Sequence, residues 1–192
     1  MADVQLPRVY LAGFEVFFAP EKEAEFAAAK KAICKRWGFE GVHPGDALVR
    51  GGLSDPERAR EIFRKDVELM HSCAAIVANL TPFRGLSADA GTCWELGHFG
   101  GSGKPAVAYT NERRPYEARV PPDLVQPGDT TPAWDTLGMK LDMQQEPDNC
   151  MLTRSVLHLA VAPEDLAPEA QLTDLRAFEE SVRALAAFFA RA

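Results

Sequence analysis

Short apolar runs alternate with amphipathic stretches along most of this chain. Apolar runs predict strands at residues 8–13, 39–44, 73–80 and 105–109. Apolar residues repeating every three to four positions predict helices at residues 21–37, 55–71, about 89–100 and 172–191. This alternation of strands and helices predicts an α/β fold with a parallel sheet covered by helices on both faces.

The pattern is interrupted once, between residues 111 and 148, where proline, glycine and charged residues predominate. A segment of that length without periodicity predicts an irregular loop region that is either functional or disordered. The whole chain, 192 residues long, suffices for one domain with a substantial core. We therefore expect a single domain over residues 1–192, with the irregular segment inside it and a closing helix at about 172–191.

Two of the predicted helices carry a charged residue in their apolar stripe. The first has Lys30 between Phe26 and Ile33, in a stripe that extends to Trp37. The second places Asp66 in a predicted core stripe with Ala59, Ile62, Phe63 and Met70. A carboxylate in such a stripe is costly unless it is paired or used. Asp66 could therefore lie at the edge of the stripe and be bonded to the backbone or to Arg64. It could instead belong to a functional site, and we favour this second interpretation.

The segment from Asp89 to Gly97, DAGTCWELG, follows the buried strand at 73–80 and opens a helix. It places carboxylates at Asp89 and Glu95, at the sheet edge where open α/β sheets build their sites. Paired carboxylates can cut and remake a glycosidic bond. Asp89 could instead be a helix cap and Glu95 an exposed helix acid. The helix N-terminus, however, favours an ionised carboxylate, as a nucleophile requires.

Composition narrows the range of partners. The formal charge of −7 argues against a nucleic-acid groove and an anionic membrane surface, but it permits an uncharged nucleoside. No apolar run approaches the length of a bilayer span, and residues 1–7 lack signal-peptide features. No Cys/His spacing resembles a metal site. The scattered cysteines indicate reduced thiols, and hence a cytoplasmic protein; they are Cys34, Cys73, Cys93 and Cys150.

Several segments, taken together, resemble the nucleoside 2-deoxyribosyltransferases over roughly residues 8–152. They are RVYLAG at 8–13 with Val16 and Phe17, Asp66, LTPFRG at 80–85, DAGTCWELG at 89–97 and EPDNCML at 146–152. The PFRG turn is most similar to members from kinetoplastids and their bacterial relatives. This similarity weakly favours purine bases as substrates. The resemblance implies a five-stranded parallel sheet of the flavodoxin or Rossmann-like kind.

The resemblance also implies a reaction and its residues. Glu95 would attack a 2′-deoxynucleoside donor, form a covalent deoxyribosyl ester and pass the sugar to a free nucleobase acceptor with retention of configuration. Tyr10 would orient Glu95, and Asp66 or Asp89 would protonate the departing base. Neither a metal nor an organic cofactor is implied, and the expected role is nucleotide salvage.

The same resemblance implies how the substrate is held. The substrate-binding residues within one chain would be Gly13, Phe14, Phe17, Gly91 and Thr92. Asn149 and the Met151 region would reach into a neighbouring subunit's site, which implies a homo-oligomer. Phe14-Glu15 departs from the small residues or proline that family members often carry after the first strand.

Two alternatives remain open. Related nucleotide N-hydrolases take the same first step, then use water, and bind a 5′-phosphate. Glu15 and Asp89 would repel that phosphate, which favours the transferase. A non-catalytic nucleoside- or nucleotide-binding module is a third possibility. Glu95, Tyr10 and Asp66 occurring together argue against it.

Overall fold

The computed structural model describes residues 5–128, 133–141 and 144–191. Within these ranges five strands form a sheet in the order β2-β1-β3-β4-β5, and every neighbouring pair is parallel. The strands are β1 (Arg8–Ala12), β2 (Glu40–Val42), β3 (Ala75–Asn79), β4 (Ala106–Thr110) and β5 (Leu159–Val161). The predicted α/β class with a five-stranded parallel sheet is confirmed.

The helices between the strands are α1 (Pro20–Arg36), α2 (Asp55–His71), α3 (Ala90–Gly101) and α4 (Cys150–Thr153), and α5 (Arg176–Phe189) follows β5. A capping box of Ser54 and Glu57 begins α2, with Pro56 in its first turn. The last helix begins four residues later than the sequence predicted. The reason is that the Asn111 side-chain amide donates to the carbonyls of Gln171 and Asp174, which holds that segment outside the helix.

Both faces of the sheet are covered, because alternate strand residues point to opposite sides. One face packs against α1 and α5, through Val9, Leu11, Val77, Ile33, Phe178, Val182 and Leu185. The other packs against α2 and α3, through Tyr10, Ala12, Ile76, Met70, Leu96 and Phe99. Helices on both faces were predicted, and this is confirmed.

The predicted core stripe of α2 was wrong in its N-terminal half. Ala59, Ile62 and Phe63 are exposed, and of the apolar stripe only Met70 is buried. This half of α2 borders two surface hollows instead of covering the sheet. Its apolar residues therefore lie beside the candidate site, and Glu61 is buried in their place.

Residues 111–128, 133–141 and 144–148 contain no α-helix and no strand of the sheet. Short 3₁₀ turns occur at Tyr116–Arg119 and Pro122–Leu124. Arg119 anchors this region by donating to the carbonyls of Arg114, Pro147 and Leu86. The parts of the predicted irregular segment at 129–132 and 142–143, the N-terminal residues 1–4 and residue 192 lie outside the described residues.

The short strand β5 is not among the strands that the sequence pattern located. Of its three residues only Ala160 is buried, so no alternating pattern could reveal it. Cys34 and Cys73 are buried, Cys93 and Cys150 are half-buried, and all four are free thiols. None of the helices described here is long and apolar enough to cross a bilayer.

Candidate active site

A cavity of about 470 Å³ opens at the carboxyl end of β1, against the first turns of α3. Of the predicted site residues, it brings together Gly13, Phe17, Asp66, Asp89, Gly91, Thr92 and Glu95. Gly13 follows the end of β1, and Asp66 lies on α2. Gly91, Thr92 and Glu95 belong to α3, and Asp89 caps that helix. The site lies where an open parallel sheet builds its ligand sites.

Tyr10 and Glu95 form the central contact of the cavity. The Tyr10 hydroxyl donates a 2.7 Å hydrogen bond to Glu95 Oε1. Tyr10 is fully buried in β1, and its ring stacks on Phe99 of α3. Burial and the Glu95 charge raise the pKa of Tyr10 well above its usual value. The phenol therefore stays protonated and holds one oxygen of the carboxylate in place.

Burial and two neighbouring acids of the cavity give Glu95 an unusual titration. Burial raises the pKa of Glu95 to about 7, with further increases from the charges of Asp66 and Asp89, although the Tyr10 hydrogen bond opposes them. Burial also raises the pKa of Asp66 to about 6. Both groups therefore titrate near neutrality, as acids and bases in catalysis require.

Asp66 has no hydrogen-bond or ion-pair partner among the residues the structure describes. Arg64, the partner considered from the sequence, instead pairs with Glu61 and Glu68. A half-buried carboxylate without a partner is a cost to folding. The geometry is consistent with a functional group rather than a structural one.

Asp89 caps α3 as well as lining the cavity. Its Oδ2 accepts from the Thr92 amide at 3.0 Å and from the Thr92 hydroxyl at 3.2 Å. The preceding residue, Ala88, donates its amide to the buried Asp148 at 2.8 Å. Asp148 thus joins the segment before α4 to the loop that carries Asp89. Asp89 therefore is a helix cap, and its side chain also lies where the predicted site role would place it.

Three phenylalanine rings stack beside the cavity. Phe83 lies between Phe14, at 4.9 Å and 6°, and Phe17, at 5.3 Å and 10°. Phe17 lines the cavity and is 52% exposed, whereas Phe14 is fully buried and does not line it. The prediction that Phe14 contacts substrate is not met by this geometry, because its ring packs under Phe83. Phe14 instead supports the stack whose outer ring, Phe17, faces the cavity.

Asn149 and Met151 lie away from the cavity of their own chain. Asn149 caps the short α4, accepting from the Met151 amide at 2.9 Å, and the Met151 side chain is 76% exposed. Neither residue lines the cavity. Within one chain, the structure does not bring them to the other predicted site residues.

Glu15 is buried and paired, which changes its expected role. Its carboxylate accepts from Lys30, from Asn79 at 2.9 Å and from the Tyr109 hydroxyl at 3.0 Å. Burial alone would raise the pKa of Glu15, but the Lys30 charge and these hydrogen bonds hold it below its usual value. Glu15 does not line the cavity, so the predicted repulsion of a phosphate by Glu15 was wrong. The polar position of Lys30 in its helix stripe was the signal of this buried pair.

The sequence missed one wall of the cavity. It consists of Glu23 on α1, Ile62 on α2, Val16, and a loop with Pro44, Gly45, Ala47 and Val49. The loop carries no motif or periodicity from which its position could be inferred. Of the residues that line the cavity, four are acidic and none is basic; the acids are Glu23, Asp66, Asp89 and Glu95.

These features define an α/β protein with a carboxylate-lined pocket at the carboxyl edge of its sheet. The sequence profile of the nucleoside 2-deoxyribosyltransferase family matches residues 9–151. The chain therefore belongs to this family, whose members are enzymes that act on nucleosides. Among curated proteins no match is found.

Two solved structures support the fold. A 2-deoxyribosyltransferase from Leishmania mexicana is 24% identical, with a TM-score of 0.60 over 91% of this chain and 97% of that one. A conserved protein from Enterococcus faecalis V583 is 18% identical, with a TM-score of 0.53 over 93% and 98%. At these identities the likeness extends to the fold and not to the substrate.

Proposed function

We propose that this protein is a nucleoside 2-deoxyribosyltransferase that exchanges the base of a 2′-deoxynucleoside for a free nucleobase. The observation that supports this most directly is the 2.7 Å hydrogen bond from Tyr10 to Glu95, in a cavity with three further carboxylates. The contact orients one carboxylate oxygen and leaves the other for attack. The site requires neither a metal ion nor an organic cofactor for this chemistry.

In the first step, the Glu95 carboxylate forms a bond to the anomeric carbon while the bond from that carbon to the base nitrogen breaks. The departing base takes a proton from Asp66, whose raised pKa allows it to hold one. Asp89, fixed by Thr92, contacts the sugar. The product of this step is a deoxyribosyl ester of Glu95.

In the second step, a nitrogen of the incoming base attacks the same carbon from the opposite face and displaces the Glu95 carboxylate. The proton of that nitrogen returns to Asp66. Two inversions give net retention, and the protonation states of Glu95 and Asp66 are restored. A base can accept the sugar only if it replaces the first base in the same cavity.

The charges of the cavity favour a nucleoside over a nucleotide. Among the residues that the structure describes, four carboxylates and no basic side chain line it, so a 5′-phosphate would meet like charge. The groups that would repel the phosphate are thus Glu23 and the catalytic acids, not Glu15. Arg84, in the adjoining hollow, lies over the Phe17 and Phe83 rings and is a residue to which a phosphate could bind. The hydrolase alternative is therefore included in the test.

The proposed reaction is tested with deoxyinosine as donor, in the presence and absence of adenine, followed by chromatography. We expect deoxyadenosine to form only when adenine is present. Free hypoxanthine without a new nucleoside would instead indicate a hydrolase, to be examined next with the 5′-monophosphate. Binding of nucleosides without turnover would indicate the non-catalytic module.

We also propose that Asn149 and Met151 complete the site of a second copy of this chain. Both are exposed and outside their own cavity. The rim beside Asp66 and Glu95 exposes Ile62, Phe63 and Trp94, with the Phe63 and Trp94 rings 5.6 Å apart. Large apolar side chains grouped on a surface are typical of a subunit interface.

This arrangement predicts that two inactive variants restore activity together. Asn149→Ser keeps a residue able to cap α4 but lacks the amide, and it should lose most of its activity. Mixed with Glu95→Gln after brief unfolding and refolding, it should regain about a quarter of wild-type activity if the chains pair at random in a dimer. No recovery, or a monomer by light scattering, would contradict the shared site.

A further inference from the structure

The carboxylate of Glu23 is an unexplained acid in the cavity wall. It lies on α1 and is partly buried, with 26% of its side chain exposed. Among the residues that the structure describes, no group donates a hydrogen bond to it, and its nearest cationic candidate is His43, at 3.9 Å. The proposed two-step reaction gives Glu23 no role.

His43 does not neutralise Glu23. The His43 Nδ1, which faces Glu23 Oε1, already accepts a 3.0 Å hydrogen bond from the Gly45 amide and so carries no proton. Burial and the nearby Lys30 charge lower the pKa of His43 to about 4. At neutral pH the imidazole is therefore uncharged, and Glu23, which lines the cavity, retains unused acceptor capacity.

Gly45 makes room for this carboxylate. A Cβ atom built on Gly45 would lie 2.7 Å from Glu23 Oε1, which is closer than non-bonded atoms approach. The loop that carries Gly45 lines the same cavity wall. The absence of a side chain at this position thus lets the Glu23 carboxylate lie against the loop.

The surroundings of Glu23 are suited to a flat heterocycle. The neighbouring wall is apolar, formed by Val16, Pro44, Ala47, Val49 and Ile62, and the exposed Phe17 ring lies on the same cavity. Such walls accept the faces of a base, and a polar group among them meets its edge. An ionised carboxylate only accepts hydrogen bonds, so it discriminates between amino and carbonyl groups.

We propose that Glu23 reads the edge of the nucleobase, accepting a hydrogen bond from an exocyclic amino group. Bases with that amine, such as adenine and cytosine, are then preferred to counterparts with a carbonyl oxygen at the same position, hypoxanthine and uracil. The oxygen would face the carboxylate and be repelled. This inference rests on the proposed function and specifies its substrates.

The test is internal competition between equal concentrations of deoxyadenosine and deoxyinosine, with 2,6-diaminopurine as the common acceptor. The ratio of initial consumption gives the ratio of kcat/KM directly. We expect wild type to prefer deoxyadenosine, and Glu23→Gln to reduce that preference at least about tenfold, since an amide can also donate to a carbonyl.

Two further variants separate this role from a general effect on α1. Glu25→Gln makes the same change on an exposed position of α1 outside the cavity and should leave the ratio unchanged. Gly45→Ala keeps the charge but displaces the carboxylate, so it should lower the ratio as Glu23→Gln does. An unchanged ratio in Glu23→Gln, or no preference in wild type, would overturn the inference.

Failure of the proposed function would be distinguishable from failure of this inference. If wild type exchanged no base, the transferase would be contradicted, while calorimetric binding of deoxyadenosine and deoxyinosine would still test Glu23. Loss of the binding preference in Glu23→Gln, but not in Glu25→Gln, would support base reading. Equal binding of both nucleosides to wild type would reject it.

Discussion

Replacing Glu95 with glutamine is expected to reduce base exchange by about 10⁴-fold or more, because an amide cannot form the ester with the sugar. The fold should survive. The amide oxygen of glutamine can still accept the hydrogen bond that Tyr10 now donates to Glu95 Oε1. The change therefore removes the nucleophile with little disturbance of the cavity.

The measurement is mass spectrometry of enzyme denatured by acid during turnover with a 2′-deoxynucleoside. Wild type should carry one deoxyribosyl group on the peptide that contains Glu95, and Glu95→Gln should carry none. Tyr10→Phe is the comparison, since it keeps the nucleophile but loses its orienting hydroxyl; it should still form the ester, more slowly. Near-full exchange by Glu95→Gln would remove Glu95 from the mechanism.

The same variant has a pH signature in stability. The folded-state pKa of Glu95 is raised from 4.5 to about 7, so the folded protein binds this proton more tightly than the unfolded chain. Its contribution is fully present below about pH 4.5 and is lost as the pH rises through about 7. Glu95→Gln should therefore gain stability relative to wild type between pH 4.5 and 8, by up to about 3 kcal/mol. If denaturant titrations gave the same difference in unfolding free energy between Glu95→Gln and wild type at every pH, the raised pKa of Glu95 would be contradicted.

The fold was largely predictable because most of its elements carry strong local signals. Apolar runs marked β1, β3 and β4, and the Asp-Pro start of α2 fixed that helix. The edge strand β5 is three residues long and only partly buried, so it left no pattern. The start of α5 depends on Asn111, about 60 residues earlier in the chain, and no local pattern reports such a contact.

The candidate site likewise has one part that the sequence could predict and one that it could not. Tyr10, Asp66, Asp89 and Glu95 lie on or beside regular elements, so their convergence could be expected from the order of the sheet. The loop with Gly45 approaches the cavity only through the tertiary fold, and no sequence pattern distinguishes Glu23 from an exposed helix acid. Apolar periodicity was misleading in α2, because it does not distinguish a helix face that packs on the sheet from one that borders a cavity. Ile62 borders the cavity rather than the core.

Replacing Asp66 with asparagine is expected to lower turnover by about 10²- to 10⁴-fold with little loss of stability. Asparagine cannot give a proton to the departing base. Because Asp66 has no partner in the part of the chain that the structure describes, its loss breaks no hydrogen bond there. Its removal also takes away a negative charge that raises the pKa of Glu95.

The pH profile of kcat/KM should show both groups. The active form has Glu95 ionised and Asp66 protonated. Because the pKa of Glu95, about 7, lies above that of Asp66, about 6, this form is a minority species at every pH, and kcat/KM should follow a bell with its maximum between these two values. In Asp66→Asn the alkaline fall should disappear, and activity should rise once, with the ionisation of Glu95. Glu68→Gln, an exposed acid on the same helix, should leave the profile unchanged.

A donor that needs no proton separates general-acid catalysis from a structural role for Asp66. The ring of 7-methyl-2′-deoxyguanosine is already positively charged, so its base departs as a neutral molecule, and Asp66→Asn should lose far less activity with it than with deoxyinosine. If Asp66→Asn instead melted the protein while the rate per folded molecule stayed constant, Asp66 would be a structural acid. A loss selective for deoxyinosine in Asp89→Asn, but not in Asp66→Asn, would transfer the proton-donating role to Asp89, which would then act through the oxygen that Thr92 leaves free.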